Sequence, residues 1–219
     1  MTIHGGTVTA KGGDLGAGIG GGSGNTAGDG GTVTITGGTV TAQGDLGAGI
    51  GGGNGNTAGD GGTVTITGGT VTATGGANDG NYGGAGIGGG SGPKGLGKAG
   101  TFSTSANGTN GNAVIFASSA TGSNHIQATE DTQNPWQGVI FQGNEGKVYG
   151  TNITPTEDFT IPSGKTLTIA SGQTLNIPAG VTLTNEGTLT VSEGGKLTVE
   201  QGGTLTGSVN GSTPPTISG

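Results

Sequence analysis

The chain has no cysteine and no arginine, and its 219 residues include one tryptophan and one methionine. Without cysteine there is no disulfide framework and no thiolate for nucleophilic or metal chemistry. Aromatic residues make up 3% of the chain and charged residues 9%. Six lysines against a net charge of −7 argue against a nucleic-acid partner, because that affinity rests on neutralising phosphates. The apolar runs are only a few residues long, far short of the roughly 20 a membrane-spanning helix needs. Met1 is followed by neither a basic nor an apolar segment, so no signal peptide is expected at this end.

What the chain does have is 58 glycines and 38 threonines. Glycine at this density weakens any helix by about 1 kcal/mol per site, which excludes a helical protein. It does not recur every third residue, which excludes collagen. The aliphatic residues are evenly spaced rather than sparse, so the chain is not disordered.

Self-similarity organises the rest. The string Thr-Val-Thr-Ile-Thr-Gly-Gly-Thr-Val-Thr-Ala at 32–42 recurs at 63–73, an offset of 31. Gly-Ala-Gly-Ile-Gly-Gly-Gly begins at Gly16, at Gly47 and, after an insertion carrying Asn78, Asp79 and Tyr82, at Gly84. Further on, Thr-Leu-Thr-Ile at 166–169 matches Thr-Leu-Thr-Val at 188–191, and two neighbouring segments repeat at the same offset of 22. Apolar residues and threonines alternate with period two, which is strand behaviour. Val33, Val64, Leu167 and Leu189 are predicted to point inward, with threonine facing out. Three short strands per repeat, each returning one repeat later, predict an all-β, right-handed, single-stranded parallel β-helix of triangular cross-section. Right-handedness follows from the strong preference of parallel crossovers. Val-Ile-Phe at 114–116 and 139–141 lie 25 apart and read as coils of intermediate length. About seven coils spaced ~4.8 Å apart give a rod of roughly 35 Å.

The expected organisation is one continuous β-helix over 1–210. It divides into glycine-rich coils (1–100), irregular coils (101–158) and 22-residue coils (159–210), followed by a linker at 211–219. Met1 aligns with Val33, so the chain is expected to start inside a strand, as a module cut from an array with further repeats of its own on the N-terminal side.

Glycine-rich sequence also mimics nucleotide motifs. Gly16-x-Gly18-x-x-Gly21 fits the dinucleotide fingerprint on paper, but no helix follows to face a pyrophosphate. Gly97-Lys98 approaches a phosphate loop, yet Ala99 stands where the hydroxyl ligand belongs. Asp14 and Asp45, and likewise Asp29 and Asp60, occupy equivalent places in successive coils. Carboxylates ~4.8 Å apart repel by about 1 kcal/mol in water. Calcium would relieve this, while solvated turn aspartates are the plainer reading, so no cofactor is required and calcium is the candidate. In the third copy Lys98 takes the place of Asp29 and Asp60.

Catalytic groups are scarce. Elimination on pectic polysaccharide needs a base and stabilising cations, and hydrolysis needs paired carboxylates. The chain offers only His4 and His125, with the pairs Glu130-Asp131 and Glu157-Asp158 in expected loops. His4 stands in a column continued by Thr36 and Thr67 and reads as a surface strand residue. For sugar binding the candidate aromatics are Trp136, Tyr149 and Tyr82; Phe116 and Phe141 sit on apolar strands and read as core. Trp136 follows Asn134-Pro135, either exposed in a loop or covering the core where coil length changes. The outward threonine lattice is also similar to the ice-binding face of threonine-rich solenoid antifreeze proteins.

The alternation of Gly-Ala-Gly-Ile-Gly-Gly-Gly with Gly-Gly-Thr-Val-Thr-Ile-Thr-Gly-Gly-Thr-Val-Thr-Ala resembles repeat-rich surface proteins of Gram-positive gut bacteria. So do Gly138-Val139-Ile140-Phe141 with Gly146-Lys147-Val148-Tyr149-Gly150, and the segment 160–169. The resemblance covers nearly the whole chain. It implies an extracellular solenoid, secreted or attached to the cell wall, within a larger protein. It also implies a structural, adhesin-like or carbohydrate-binding role toward a polysaccharide or host glycan, and it brings no catalytic motif. The expectation is a non-enzymatic structural or adhesive module, with a calcium-assisted carbohydrate-binding module as the alternative. A polysaccharide lyase, a glycoside hydrolase and an ice-binding protein are the remoter readings.

Overall fold

The computed structural model describes residues 1–77, 83–105, 111–120, 125–211 and 214–217. Among them are strands, turns and bends, and no helix. The threonine–aliphatic alternation sets the strands. In Thr32–Ile35 and Thr63–Ile66 the aliphatic side chains are buried and the threonines are not. Val33, Val64, Leu167 and Leu189 are 2%, 2%, 0% and 0% exposed, inward as predicted.

Both repeat lengths are coil lengths. Thr32–Ile35 pairs in parallel with Thr63–Ile66, and Thr166–Ile169 with Thr188–Val191, residue for residue. Val114, Ile115 and Phe116 lie opposite Val139, Ile140 and Phe141, again in parallel. The long coils turn their corners on paired glycines such as Gly37-Gly38. The short coils use a Pro-x-Gly turn. Lys165 donates its amide to Pro162 O at 3.0 Å with Gly164 at φ +80°, a type II turn whose third residue needs positive φ. Nothing lies within 4 Å of the place a Gly164 Cβ would take, so that glycine answers to its own backbone.

The single continuous path expected over 1–210 does not hold. Strand Gly138–Gln142 turns at Gly143-Asn144 and pairs antiparallel with Glu145–Tyr149, placing Phe141 opposite Gly146. Later strands of this sheet run parallel to Glu145–Tyr149, so strand direction reverses at the hairpin. Nine strands still stack in chain order in one sheet, five before the turn and four after it. Four coil intervals thus precede the hairpin and three follow it.

The interior changes sides at the same point. Ile115, Ala117 and Ile140 belong to the core of the first solenoid. Val114, Phe116, Val139 and Phe141 project from the other face into a second core with Val148, Leu167 and Leu189. Strands Val114–Ser119 and Gly138–Gln142 are therefore covered on both faces. The hand of a coil depends on strand direction, on the side holding the interior and on the stacking direction. Across the hairpin the first two reverse and the third does not, so both solenoids have the same hand, consistent with the chirality of parallel crossovers. Phe116 and Phe141 stack across the join, with ring centroids 4.5 Å apart and planes at 18°. A side chain at position 146 would overlap the Phe141 ring, which is why glycine faces it.

The expected linker is also corrected in part. Thr216–Ile217 pairs in parallel with Thr198 and Val199, and Gly211 lies beside Val191. Pro214-Pro215 falls at a corner between these strands, where missing amide donors cost no ladder hydrogen bond.

Candidate functional site

The aspartate columns serve the coil ladder. Asp60 donates its amide to Asp29 Oδ1 at 2.8 Å, and Lys98 donates its amide to Asp60 Oδ1 at 2.9 Å. Each carboxylate thus caps the equivalent backbone position of the next coil. Lys98 Nζ lies 3.4 Å from Asp60 Oδ2. The lysine that replaces aspartate in the third coil accordingly faces the negative charge of the second. The other column works in the opposite sense: Leu15, one residue past Asp14, donates its amide to Asp45 Oδ2 at 3.0 Å. The structure brings Asp29, Asp60 and Lys98 together along an open cleft of about 430 Å³ that Thr26, Thr57 and Leu96 also line. Amide hydrogens and an ammonium group thus surround these carboxylates with positive charge. Among the described residues no group of three or more His, Cys, Asp or Glu side chains is placed to hold a metal ion.

The aromatic candidates separate. Tyr82 lies outside the described residues. Trp136 is 5% exposed and is not a binding platform. Its ring packs edge-on against Phe102 (centroids 5.3 Å) and Tyr149 (5.6 Å), closing the core of the first solenoid where coil length changes. Its Nε1 is buried with no partner. The burial results from apolar contact with Phe102, which no spacing around Trp136 reveals. Tyr149 is half-buried beside it, and burial, then the nearby Glu130 charge, push its hydroxyl pKa up. Glu130 in turn accepts the Trp136 amide at 3.1 Å.

Beside this cluster is a cleft of about 410 Å³ lined by Thr101, Phe102, Gln127, Thr129, Asp131 and Asn134, among others. Sequence reasoning did not single out its Phe102, Gln127 and Asn134. Asp131 accepts from Asn134 Nδ2 at 3.0 Å and from Gln133 N at 2.9 Å, bonds that in this order lower its carboxyl pKa. Gln127 is held by the Gly89 amide and Gly97 O at 2.7 and 2.8 Å. The cleft offers hydroxyl, amide and carboxylate groups next to the largely buried Phe102. Among the described residues that line it, Asp131 is the one carboxylate and none carries an imidazole.

His4 is exposed and shares a 2.9 Å hydrogen bond with Thr36 Oγ1, its neighbour in the column. His125 accepts the Ser119 amide on Nδ1 at 3.0 Å, which places the neutral ring's proton on Nε2. Partial burial, then the Lys165 charge, lower its pKa. Lys165 donates to Gly143 O at 2.5 Å, and burial lowers its own pKa. The hairpin turn thus sits between an imidazole of the first solenoid and an ammonium of the second. Glu157 and Asp158 lie in a loop as expected; Asp158 caps the Thr182 amide at 2.7 Å, and its carbonyl accepts from Thr70 Oγ1 at 3.3 Å.

Short strands that return in parallel register one coil later, around aliphatic cores, define the chain as a parallel β-helix repeat protein. In agreement, residues 2–23, 33–54 and 64–91 match a family model described as a beta helix repeat. All three matches fall in the first solenoid. No curated protein and no solved structure gives a significant match.

Proposed function

We propose that the chain is a non-enzymatic, extracellular β-solenoid module, structural or adhesive, of a larger bacterial surface protein. One observation carries this reading: six of the 13 acidic groups are committed to the scaffold. Asp29, Asp45, Asp60, Glu130, Asp131 and Asp158 each accept a backbone amide. A carboxylate that holds a neighbouring coil or loop is poorly placed to shuttle protons. The reading needs no bound calcium. Its test is incubation of purified protein with pectic and other wall polysaccharides, which should release neither unsaturated nor reducing ends. Steady release abolished by a single Asp or Glu substitution would overturn it.

A carbohydrate-binding role is the second reading, favoured by the cleft at Phe102, Asp131 and Asn134. A polysaccharide or host glycan would meet hydrogen-bonding groups there beside Phe102. Binding on a glycan array that is lost in Asn134→Ala and kept in Asp60→Asn supports this site. Binding unaffected by Asn134→Ala removes it.

A further inference from the structure

The cleft of about 410 Å³ beside Phe102 has spent its donors and kept its acceptors. Asn134 Nδ2 donates to Asp131 Oδ2 at 3.0 Å, Gln127 Nε2 to Gly97 O at 2.8 Å, and Ser103 Oγ to Ser105 O at 2.8 Å. Gln127 Oε1 is taken as well, by the Gly89 amide at 2.7 Å. What remains accepts. Among the described residues no donor bonds to Asn134 Oδ1. Asp131 Oδ1 and Oδ2 receive one bond each from Gln133 and Asn134, although an ionised carboxylate has about four lone-pair sites.

Charge points the same way independently. Asp131 is exposed, and the bonds from Asn134 and then Gln133 hold its carboxyl below the usual carboxylate range, so it is ionised at neutral pH. Among the described residues that line the cleft none is a lysine, and the chain has no arginine. Lys98 precedes the lining residue Ala99, but its Nζ lies 3.4 Å from Asp60 Oδ2 and belongs to the other cleft. Glu130, next in the chain to Asp131, adds a second exposed carboxylate. Unspent acceptors and uncompensated negative charge coincide in one cleft.

We propose that this cleft selects amino sugars, with Asp131 and Asn134 Oδ1 receiving the sugar ammonium and Asp131 as the specificity-determining residue. The inference rests on the carbohydrate-binding reading of the same cleft and adds the class of sugar. An ammonium group has three donors and no acceptor, which is what the cleft leaves unmatched. A uronate brings acceptors and negative charge to a place already supplied with both. A neutral sugar binds through its hydroxyls and gains nothing from the charge.

The test titrates the full chain with a glucosamine tetrasaccharide, its N-acetylated counterpart and a galacturonate tetrasaccharide. Amide shifts of Thr101, Thr129 and Asn134 are read by NMR at about pH 6, where amine and carboxylate are both charged. The glucosamine tetrasaccharide should bind about three- to fivefold tighter than the N-acetylated one, the gain of an exposed ion pair, and the galacturonate weakest. Asp131→Asn should make the first two equal while keeping the N-acetylated affinity, which shows the loop intact. Glu193→Gln, which removes a charge from the second solenoid, should leave the preference unchanged. A preference that survives Asp131→Asn, or that Glu193→Gln also abolishes, overturns the inference and leaves the cleft a sugar site. Butylamine binding as tightly as the glucosamine tetrasaccharide overturns it too, since an ammonium without a sugar would then suffice. If no tetrasaccharide moves these amides, the carbohydrate reading fails and the inference with it.

Discussion

The two solenoids solve one problem with different glycines. In the first, some corner glycines such as Gly38 take positive φ, but others are required by the neighbouring coil alone: a Cβ at Gly53 or Gly59 would overlap the backbone of the coil beneath it, and neither residue has positive φ. In the second, Gly187, Gly195 and Gly203 also meet backbone of the coil beneath, but the turn glycines Gly164, Gly172 and Gly180 answer to their own backbone, at φ +80°, +76° and +80° with nothing within 4 Å of a Cβ. Aliphatic cores follow the same division. The long coils bring few large side chains and many close backbone contacts, whereas the short coils carry leucine, isoleucine or valine on each face. Glycine frequency alone does not distinguish tight stacking from tight turning. Position against the neighbouring coil does.

Four tests sharpen that contrast. The largest effect is expected at the join, where Phe141 touches both Phe116 and the strand bearing Gly146. Phe141→Ala should cost about 3–5 kcal/mol by cavity formation. Denaturant unfolding should then separate into two transitions, because the substitution weakens the surface that couples the solenoids. A single transition at unchanged midpoint would argue against a shared core.

Next is the glycine comparison itself. Gly53→Ala should destabilise by about 3 kcal/mol through overlap with backbone that cannot move aside. Gly164→Asn should cost under about 1 kcal/mol, since asparagine visits the left-handed region with little penalty. Equal losses in thermal melts would erase the distinction.

A smaller effect is expected at Asp60, whose carboxylate caps the Lys98 amide and pairs with its ammonium group. Asp60→Asn should cost about 1 kcal/mol, a value set by one exposed hydrogen bond and a surface ion pair. Millimolar calcium should leave the melting temperature of the parent chain unchanged. A calcium-dependent rise that disappears in Asp29→Asn with Asp60→Asn would show instead that the column binds the ion, because ligand binding to the native state raises stability.

The smallest effect is pH dependence at the hairpin. The His125 pKa lies below the ordinary 6.5, through burial first and the Lys165 charge second. The unfolded chain therefore takes up the proton first as pH falls. The stabilisation is complete above about 6.5 and is lost as pH falls through the lower folded value. His125→Gln should flatten the melting temperature between pH 7 and 5, a window above the range of ordinary carboxylates at about 4. An identical slope in both proteins would remove His125 as the cause.

Coil lengths were legible because parallel in-register stacking copies sequence offsets directly: Val33 over Val64, Leu167 over Leu189. The reversal was less legible, since Val139-Ile140-Phe141 matches Val114-Ile115-Phe116 and does pair with it in parallel. Two signals pointed to it. Both segments are unbroken apolar runs, the mark of a strand covered on two faces. Gly143-Asn144 is also a two-residue loop of hairpin type. The aspartate columns were visible as columns, but their partners are backbone amides, which leave no trace in side-chain spacing. Trp136 was ambiguous because its burial depends on Phe102, far away in sequence and near only after the coils have stacked.

The shared sheet is tested most directly by cross-strand nuclear Overhauser contacts at the hairpin. Backbone hydrogens of Val139 should report to Val148, and those of Phe141 to Gly146, in the antiparallel pattern. Side chains of Val114 and Phe116 should contact Val139 and Phe141, and Val139 should contact Val148, while Ile115 contacts Val71. Parallel contacts between 138–142 and 145–149, or Phe116 found in the same core as Ile115, would contradict two solenoids joined back to back.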